Sequence, residues 1–288
     1  MDYDTYKTFI VLSETLNFSR TAEKLNIVQS TVSNRIQELE KYLGKTLFIR
    51  SNRKVELTNA GKTFLPYVQR LIVIEREGLK KLNIFSNYQD YLNIGVIDSI
   101  YRGSLAHLVP TYLVKFPAIS LKVMINHSDQ ILQLLTDGVL DVGYVQIKNK
   151  SPKLESYLLG QQEIILVTHP EHQKYPEGIS GKDLYQLRLL FADLGDGFNE
   201  WIFNIFPRNY TFSFHIDQIS LIIECLQAKL GFAFVVRSAV QRELLKRELV
   251  EVKLVDIHPP TIASYMVINK KRKKAPGVQR WLELIGAP

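Results

Sequence analysis

Apolar positions recur at helical spacing over residues 3–16, where Tyr6, Phe9, Ile10 and Leu12 share a face before Asn17 and Ser19 interrupt the pattern. Ser19 is placed to cap a short helix over 20–25, with Ala22 and Leu25 on one side. A tight turn of Asn26, Ile27 and Val28 leads into a third helix over 29–43. Its stripe is Val32, Ile36, Leu39 and Leu43, and Gly44 ends it. Two strand-like pieces, 46–50 and 54–57, enclose the polar Ser51, Asn52 and Arg53 and predict a β wing. Thr58 then caps a helix reaching about residue 85, with Leu65, Val68, Ile72, Leu79 and Leu82 at spacings of three and four that Glu75 breaks. A helix that long beside a small domain cannot bury its stripe alone, so it is predicted to pack on a second copy.

From residue 91 strands alternate with helices. Strands are predicted over 91–97, 120–125, 139–145, 164–168, 189–191 and 231–236, and helices over 105–115 and 130–136. A last strand near 263–268 leads through a basic loop to a terminal helix over 276–284. This alternation is that of an open α/β sheet, so the chain is α+β in two parts.

Composition narrows the class. A 288-residue chain with 46% hydrophobic and 23% charged residues fits globular folding, with room for more than one core. A net charge of +7 and an isoelectric point of about 9.2 admit a polyanionic partner. The charge does not locate it, because 14 basic residues face 10 acidic ones up to residue 90 and 22 face 19 beyond it. Cys225, the single cysteine, excludes an intramolecular disulfide and lies in an apolar run that reads as core. Residues 1–9 carry no export-signal pattern and no stretch is apolar enough to span a bilayer, so a cytoplasmic protein without a membrane partner is expected.

Two helices, a third after a tight turn, and a wing make the winged helix-turn-helix arrangement, whose third helix enters the major groove N-terminus first. That end here is Gln29, Ser30, Thr31, Val32, Ser33, Asn34 and Arg35. Gln29 can pair bidentately with adenine, and Thr31 offers a hydroxyl and a methyl to base edges, while Ser30 and Asn34 extend the polar face. Ser33 and Arg35 suit phosphates, and Arg50 and Arg53 in the wing suit the backbone or a narrow minor groove. A face of Gln, Ser and Thr is also ordinary on any three-helix domain.

The segment Phe18–Leu25, then Gln29, Ser30, Thr31, Val32 and Ser33, then the run from Ile36 to Gly44, resembles the signature of LysR-type transcriptional regulators. Leu47, Phe48, Ile49 and Arg50, with Leu57, Thr58, Asn59, Ala60 and Gly61, extend the resemblance into the long helix. The family usually has Ser or Thr before the Gln. Val28 stands there instead, which leaves the first residue of the recognition helix open. The resemblance implies a bacterial regulator that forms a homodimer through the linker helix and commonly a homotetramer. It would bind a double-stranded DNA dyad near a promoter, with RNA polymerase as a candidate partner there. It also implies a two-lobed C-terminal domain like a periplasmic binding protein, with a small-molecule effector in the cleft and no cofactor or metal. The implied divisions are a winged domain over 1–58, a linker helix over 59–87 and an effector domain over 91–288. Within the last, one lobe takes 91–160 and 269–288 and the other 161–268.

In such folds ligands lie beyond the carboxyl ends of strands, often at helix N-termini. Asp98, Ser99 and Ile100 follow the first strand, Ser128 precedes the second helix, Gln146 follows the strand ending at Val145, and Thr168 ends another. Gly195, Asp196 and Gly197 open a further loop. By the resemblance, Ser99, Ser128, Gln146 and Thr168 line the effector pocket, although Ser99 and Ser128 would also serve as plain helix caps. Some relatives that respond to aromatic acids carry Arg where Gln146 stands. With Asp98 and Asp196 facing the cleft, the pocket suits a ligand with an amino group better than a dianion. No catalytic constellation points to an enzyme: His169 and His172 flank Pro170 without Cys partners, and no Gly-rich phosphate loop is present. Two competing readings are a cytoplasmic small-molecule receptor without DNA recognition, and a nucleic-acid site on Lys270, Lys271, Arg272, Lys273 and Lys274. The first leaves the winged domain unused, and the second run reads better as a solvated loop before the final helix.

Overall fold

Asp2 accepts the Thr5 N–H at 2.8 Å and so opens α1, which runs over Tyr3–Thr15. The computed structural model describes residues 2–50, 54–84, 87–172, 175–207, 210–212 and 214–287. The second helix, α2 (Phe18–Leu25), starts before the predicted Ser19 cap. Asn17 takes that role by accepting the Arg20 N–H at 3.0 Å, and Ser19 becomes a helical residue. Asn caps as well as Ser does, and the earlier start lets Phe18 pack on the core. Asn26 closes α2 in the left-handed region at φ 53°, and the chain enters α3 (Gln29–Leu43), which Gly44 ends at φ 62°. Val28 precedes α3 without a side-chain cap, so the open start is Gln29.

The wing strands β1 (Phe48–Arg50) and β2 (Val55–Leu57) pair antiparallel, and α4 (Asn59–Ile84) follows with Pro66 inside it. Phe9, Leu12, Ile36, Leu39, Leu47, Phe48 and Val68 form the core. Gly61 marks a close approach, since a Cβ there would lie 2.4 Å from the Leu47 carbonyl oxygen. The apolar stripe predicted for α4 divides. Val68 and Ile72 are buried, whereas the exposed positions are Tyr67, Leu71, Ile74, Leu79 and Leu82. The first turns of α4 are spent on their own domain's core, so the outward stripe lies on a neighbouring face. Met1–Asn83 form one compact unit and Ile84–Pro288 another.

In the second unit the chain runs β3 (Asp90–Val96), α5 (Asp98–Ile100), a π-helical turn over Tyr101–Leu105, α6 (Leu108–Lys115), β4 (Ile119–Ile125), α7 (Ser128–Thr136), β5 (Val142–Val145) and β6 (Leu154–Gln162). It continues as β7 (Ile164–Thr168), β8 (Leu189–Phe191), α8 (Asp196–Ile205), β9 (Phe214–His215), α9 (Ile219–Gln227), β10 (Phe232–Val236), α10 (Gln241–Leu245) and β11 (Val250–Val252). It closes with β12 (Ile262–Asn269) and α11 (Pro276–Ile285). Two five-stranded sheets result, ordered β4-β3-β5-β12-β6 and β11-β7-β10-β8-β9. One face of the first sheet buries Tyr112 of α6 and Trp281 of α11, and the other buries Ile131 and Leu135 of α7. The second sheet is enclosed by its own core, which includes Cys225.

The chain passes between the sheets twice, after Gln162 and between Val252 and Ile262. The boundary expected at residue 268 is corrected by this path. β12 pairs antiparallel with β5 and β6, so the return to the first sheet comes at Ile262. The strand β6 escaped prediction because its alternation fails at a bulge. The register against β12 shifts between Ser264 and Tyr265, opposite Gly160 at φ 139°. The basic loop after β12 is largely structural: Lys270 donates to the Pro152 carbonyl at 2.8 Å, Lys273 to Glu155 at 3.0 Å, and Arg272 to Asp141 and Asp90. Among the described residues no helix is long and apolar enough to cross a membrane.

Candidate DNA-reading helix and effector cleft

Because Val32, Ile36 and Leu39 anchor α3 in the core, the opposite side of its first turns faces outward. Gln29, Ser30 and Asn34 are exposed, and Thr31, Ser33 and Arg35 are half-buried. The Ser19 hydroxyl donates to Gln29 Oε1 at 3.4 Å, so the expected cap of α2 touches the start of α3 instead. Arg35 is engaged within the domain: Nη2 lies 2.9 Å from Asp4 Oδ2 and Nη1 donates to Thr8 Oγ1 at 3.2 Å. It therefore ties α3 to α1.

Glu40 positions the wing, a role the sequence reading missed. Its Oε1 accepts the Leu47 and Phe48 N–H groups at 2.7 and 3.1 Å, and its Oε2 lies 3.7 Å from Arg50 Nη2. The available signal was an acidic residue on the buried side of α3, four positions after Ile36. The Arg50 guanidinium also stacks 4.6 Å over the Phe18 ring, which ties the end of β1 to the start of α2. Arg53 lies outside the described residues.

In the second unit, Asp98 reaches from the first sheet to the second. Its Oδ2 accepts the Ser220 N–H at 3.1 Å and the Ser220 hydroxyl at 3.2 Å, at the first turn of α9. The helix N-terminus thus offsets the carboxylate charge. Neither Ser99 nor Ser128 caps a helix: α5 and α7 start after Ile97 and His127, without side-chain cap bonds. The Ser128 Oγ instead accepts the Gln146 N–H at 3.1 Å, which brings these two predicted residues together. The Gln146 Nε2 is buried and makes no hydrogen bond. Asp196 is the exposed first residue of α8. One turn on, Asn199, which the sequence reading passed over, donates to Asp193 at 2.8 Å and buries its Oδ1 without a partner.

Thr168 is a correction. It is fully buried and its hydroxyl donates to the Gly231 carbonyl at 2.8 Å. A carboxyl-end position faces the cleft only on a strand running in the common direction, but β7 runs antiparallel to β10, with Thr168 opposite Phe232 and Ile164 opposite Val236. Its carboxyl end therefore points away from the crossing between sheets, which Ile164 adjoins. Ser99 and Ile100 are buried and contribute to the wall of a cavity of about 480 Å³, whereas Ser128, Gln146, Thr168 and Asp196 lie outside it.

Comparison with known proteins matches both parts of the chain. Residues 3–62 match the family described as bacterial regulatory helix-turn-helix protein, lysR family, and residues 87–287 match the LysR substrate binding domain. The chain is 26% identical over 283 residues to the HTH-type transcriptional regulator CitR of Bacillus subtilis (strain 168), covering 95% of this chain and 97% of that one. It is 27% identical over 266 residues to a probable RuBisCO transcriptional regulator of Thalassiosira pseudonana, covering 87% and 84%. Among solved structures, CbnR, a LysR family transcriptional regulator, superposes with a TM-score of 0.70 at 19% identity over 99% of this chain and 98% of that one. Full-length CbnR complexed with its target DNA gives 0.69 at 19% identity over 99% of both chains. The fold is thus shared along the whole chain, and with both family matches this protein belongs to the LysR family of transcriptional regulators, carrying an N-terminal helix-turn-helix domain and a C-terminal LysR substrate-binding domain.

Proposed function

We propose that this regulator recognises a specific DNA dyad through the start of α3 and responds to a small molecule held between the two sheets of its second unit. The observation that carries the reading is the outward polar turn of Gln29, Ser30 and Asn34, on a helix whose other side is locked in the core. Gln29, Ser30, Thr31 and Asn34 are assigned to base edges, and Ser33, Arg50 and Arg53 to phosphates. Arg35 contacts a phosphate only by leaving Asp4, so its larger role is holding α3 at the right angle. The proposed divisions are a winged domain over 1–58, a linker helix over 59–87 and an effector domain over 91–288, with β12 reassigned to the first lobe. The exposed stripe of α4 supports a homodimer, and pairs of dimers make the tetramer, a cytoplasmic assembly that meets RNA polymerase at a promoter.

For the effector, the buried and unpartnered Gln146 Nε2 and Asn199 Oδ1 offer one donor and one acceptor. That pairing, with Ser128 beside Gln146 and Asp196 exposed, favours a polar ligand that both donates and accepts over a bare dianion. Binding shifts the population of lobe arrangements and hence the spacing of the DNA-binding heads. A gel-shift titration of the full chain against the DNA upstream of its own gene, beside a scrambled fragment and across a salt series, tests the reading. Preference for the upstream DNA, steep weakening with salt and a loss of about 1–3 kcal/mol for Gln29→Ala are expected. Equal affinity for both fragments would sink specific recognition and favour the receptor reading.

A further inference from the structure

Two loops of the second unit gather positive charge at one end of the first sheet. The segment 146–153 joins β5 to β6 and carries Lys148, Lys150 and Lys153, and the segment 270–274, between β12 and α11, is basic at every position. Neither contains an acidic residue. They meet where Asn269 of β12 pairs with Leu154 of β6. Just beyond that pair the Lys270 N–H donates to the Lys153 carbonyl at 3.1 Å, and Lys270 Nζ donates to the Pro152 carbonyl at 2.8 Å.

The cations of these loops divide into two kinds. Arg272 and Lys273 are half-buried and spend their charge inward, on Asp141, Asp90 and Glu155. Lys150, Lys153, Lys270, Lys271 and Lys274 are exposed, and among the described residues none of them has an ion pair. Ammonium groups crowded on two touching loops repel one another, and a polyanion relieves that repulsion. The backbone beneath them is held in place: Asn149 Oδ1 accepts the Ser151 N–H at 2.7 Å, and Asn269 Oδ1 accepts the Lys271 N–H at 3.0 Å.

The side chains decide the class of polyanion. A protein interface is built on buried aromatic, apolar or arginine anchors, and lysine is depleted from its core. Here the exposed apolar side chain of the first loop is Ile147, and the arginine of the second is already engaged by two carboxylates. Lysine binds phosphate as a point charge, without the geometric demands of an arginine fork. We propose that this patch is a second, sequence-independent contact to the phosphates of double-stranded DNA, separate from the start of α3. It rests on the reading that the winged domain holds DNA, and it adds affinity to whatever duplex is held there.

The test is the salt dependence of DNA binding by the full chain, from filter-binding titrations on the fragment upstream of its own gene and on a scrambled one. Each fragment is about 150 base pairs, one persistence length. The patch variant combines Lys150→Gln, Lys153→Gln, Lys271→Gln and Lys274→Gln, all exposed, and keeps Lys270 because it ties the loops together. Each phosphate contact contributes about 0.9 to the slope of log K against log salt. The slope should therefore fall by about 2–4, with affinity about tenfold or more weaker on both fragments alike. A control combining Lys182→Gln, Arg242→Gln, Arg247→Gln and Lys253→Gln removes the same charge from exposed positions elsewhere in the second unit, and should change the slope by less than about 1. An equal loss in the control overturns the inference, because net charge then accounts for the effect. An unchanged slope in the patch variant also overturns it and leaves an acidic protein surface as the occupant. Specific recognition is read from the ratio of affinities between the fragments, so its failure is distinguishable from the failure of this contact.

Discussion

Arg272→Met removes a guanidinium from between two buried carboxylates. Arg272 Nε lies 3.0 Å from Asp141 Oδ1, and Nη2 lies 3.1 Å from Asp90 Oδ1 and 2.9 Å from the Tyr91 carbonyl oxygen. Asp141 is 0% and Asp90 4% exposed, and the guanidinium stacks 4.1 Å over the Tyr91 ring. Burial works against the charge on Arg272, but the Asp141 and Asp90 carboxylates outweigh it and hold the guanidinium pKa above its ordinary value. Methionine preserves much of the stem and none of the charge, so both carboxylates lose a cation in a poorly hydrated place. Breaking a buried pair this way costs about 3–5 kcal/mol, which for a unit of this size lowers the melting temperature by about 6–20 °C. Trp201 and Trp281 are the only tryptophans in the sequence, and both belong to the second unit. Urea denaturation followed by tryptophan fluorescence therefore reads that unit selectively. In an Asp141→Asn background the same Met substitution should cost less than half as much, because one carboxylate is already neutral. A loss below about 1 kcal/mol, or strictly additive effects in the double variant, would refute the argument that stranded charge carries the cost.

Gly61→Ala places a Cβ 2.4 Å from the Leu47 oxygen and 2.7 Å from Leu57 Cδ2. It should cost the first unit about 1–3 kcal/mol in a circular-dichroism melt. Burial pushes the Tyr144 phenol above its ordinary value, against the lowering effect of the Trp281 hydrogen bond. The corresponding stability is present below pH 10 and is lost as pH rises beyond it. Tyr144→Phe should flatten that alkaline loss while costing about 1 kcal/mol at neutral pH through the missing Trp281 bond, both read by tryptophan fluorescence. Leu71→Glu with Leu82→Glu puts charge on two exposed apolar positions of α4. Sedimentation should show a smaller assembly, and an unchanged sedimentation coefficient would exclude this stripe from the oligomer contact.

The first unit was legible because each of its helices is short, amphipathic and punctuated. Phe9 and Leu12, then Val32, Ile36 and Leu39, are all buried as their spacing predicts. What misled was competition between equivalent cap residues: Asn17 and Ser19 stand two apart, and the packing of Phe18 selects the former. On α4 the periodicity was real but served two partners, the domain core through Val68 and an outward face through Leu71 and Leu82. A single stripe cannot be read where the helix changes neighbours along its length. The strand β6 was hidden for a related reason, since the bulge at Gly160 breaks the two-residue period that marks a half-buried strand.

The cleft shows where reading chemistry from strand ends reaches its limit. The rule that ligands lie beyond carboxyl ends holds for strands running in the common direction, and it placed Asp98 and Gln146 beside partners that matter: Ser220 across the sheets, and Ser128. It misplaced Thr168 because strand direction is decided by long-range pairing, here the antiparallel register of β7 on β10. The same is true of charge. Asp98 read from the sequence is an anion facing a ligand; folded, it seats on the first turn of α9 and spends its charge holding two sheets together. Any group that takes the Ser220 N–H must displace Asp98 and so break this link between the two sheets. The local sequence contains both groups, but the coupling between them exists only because the chain returns 122 residues later to set α9 against α5.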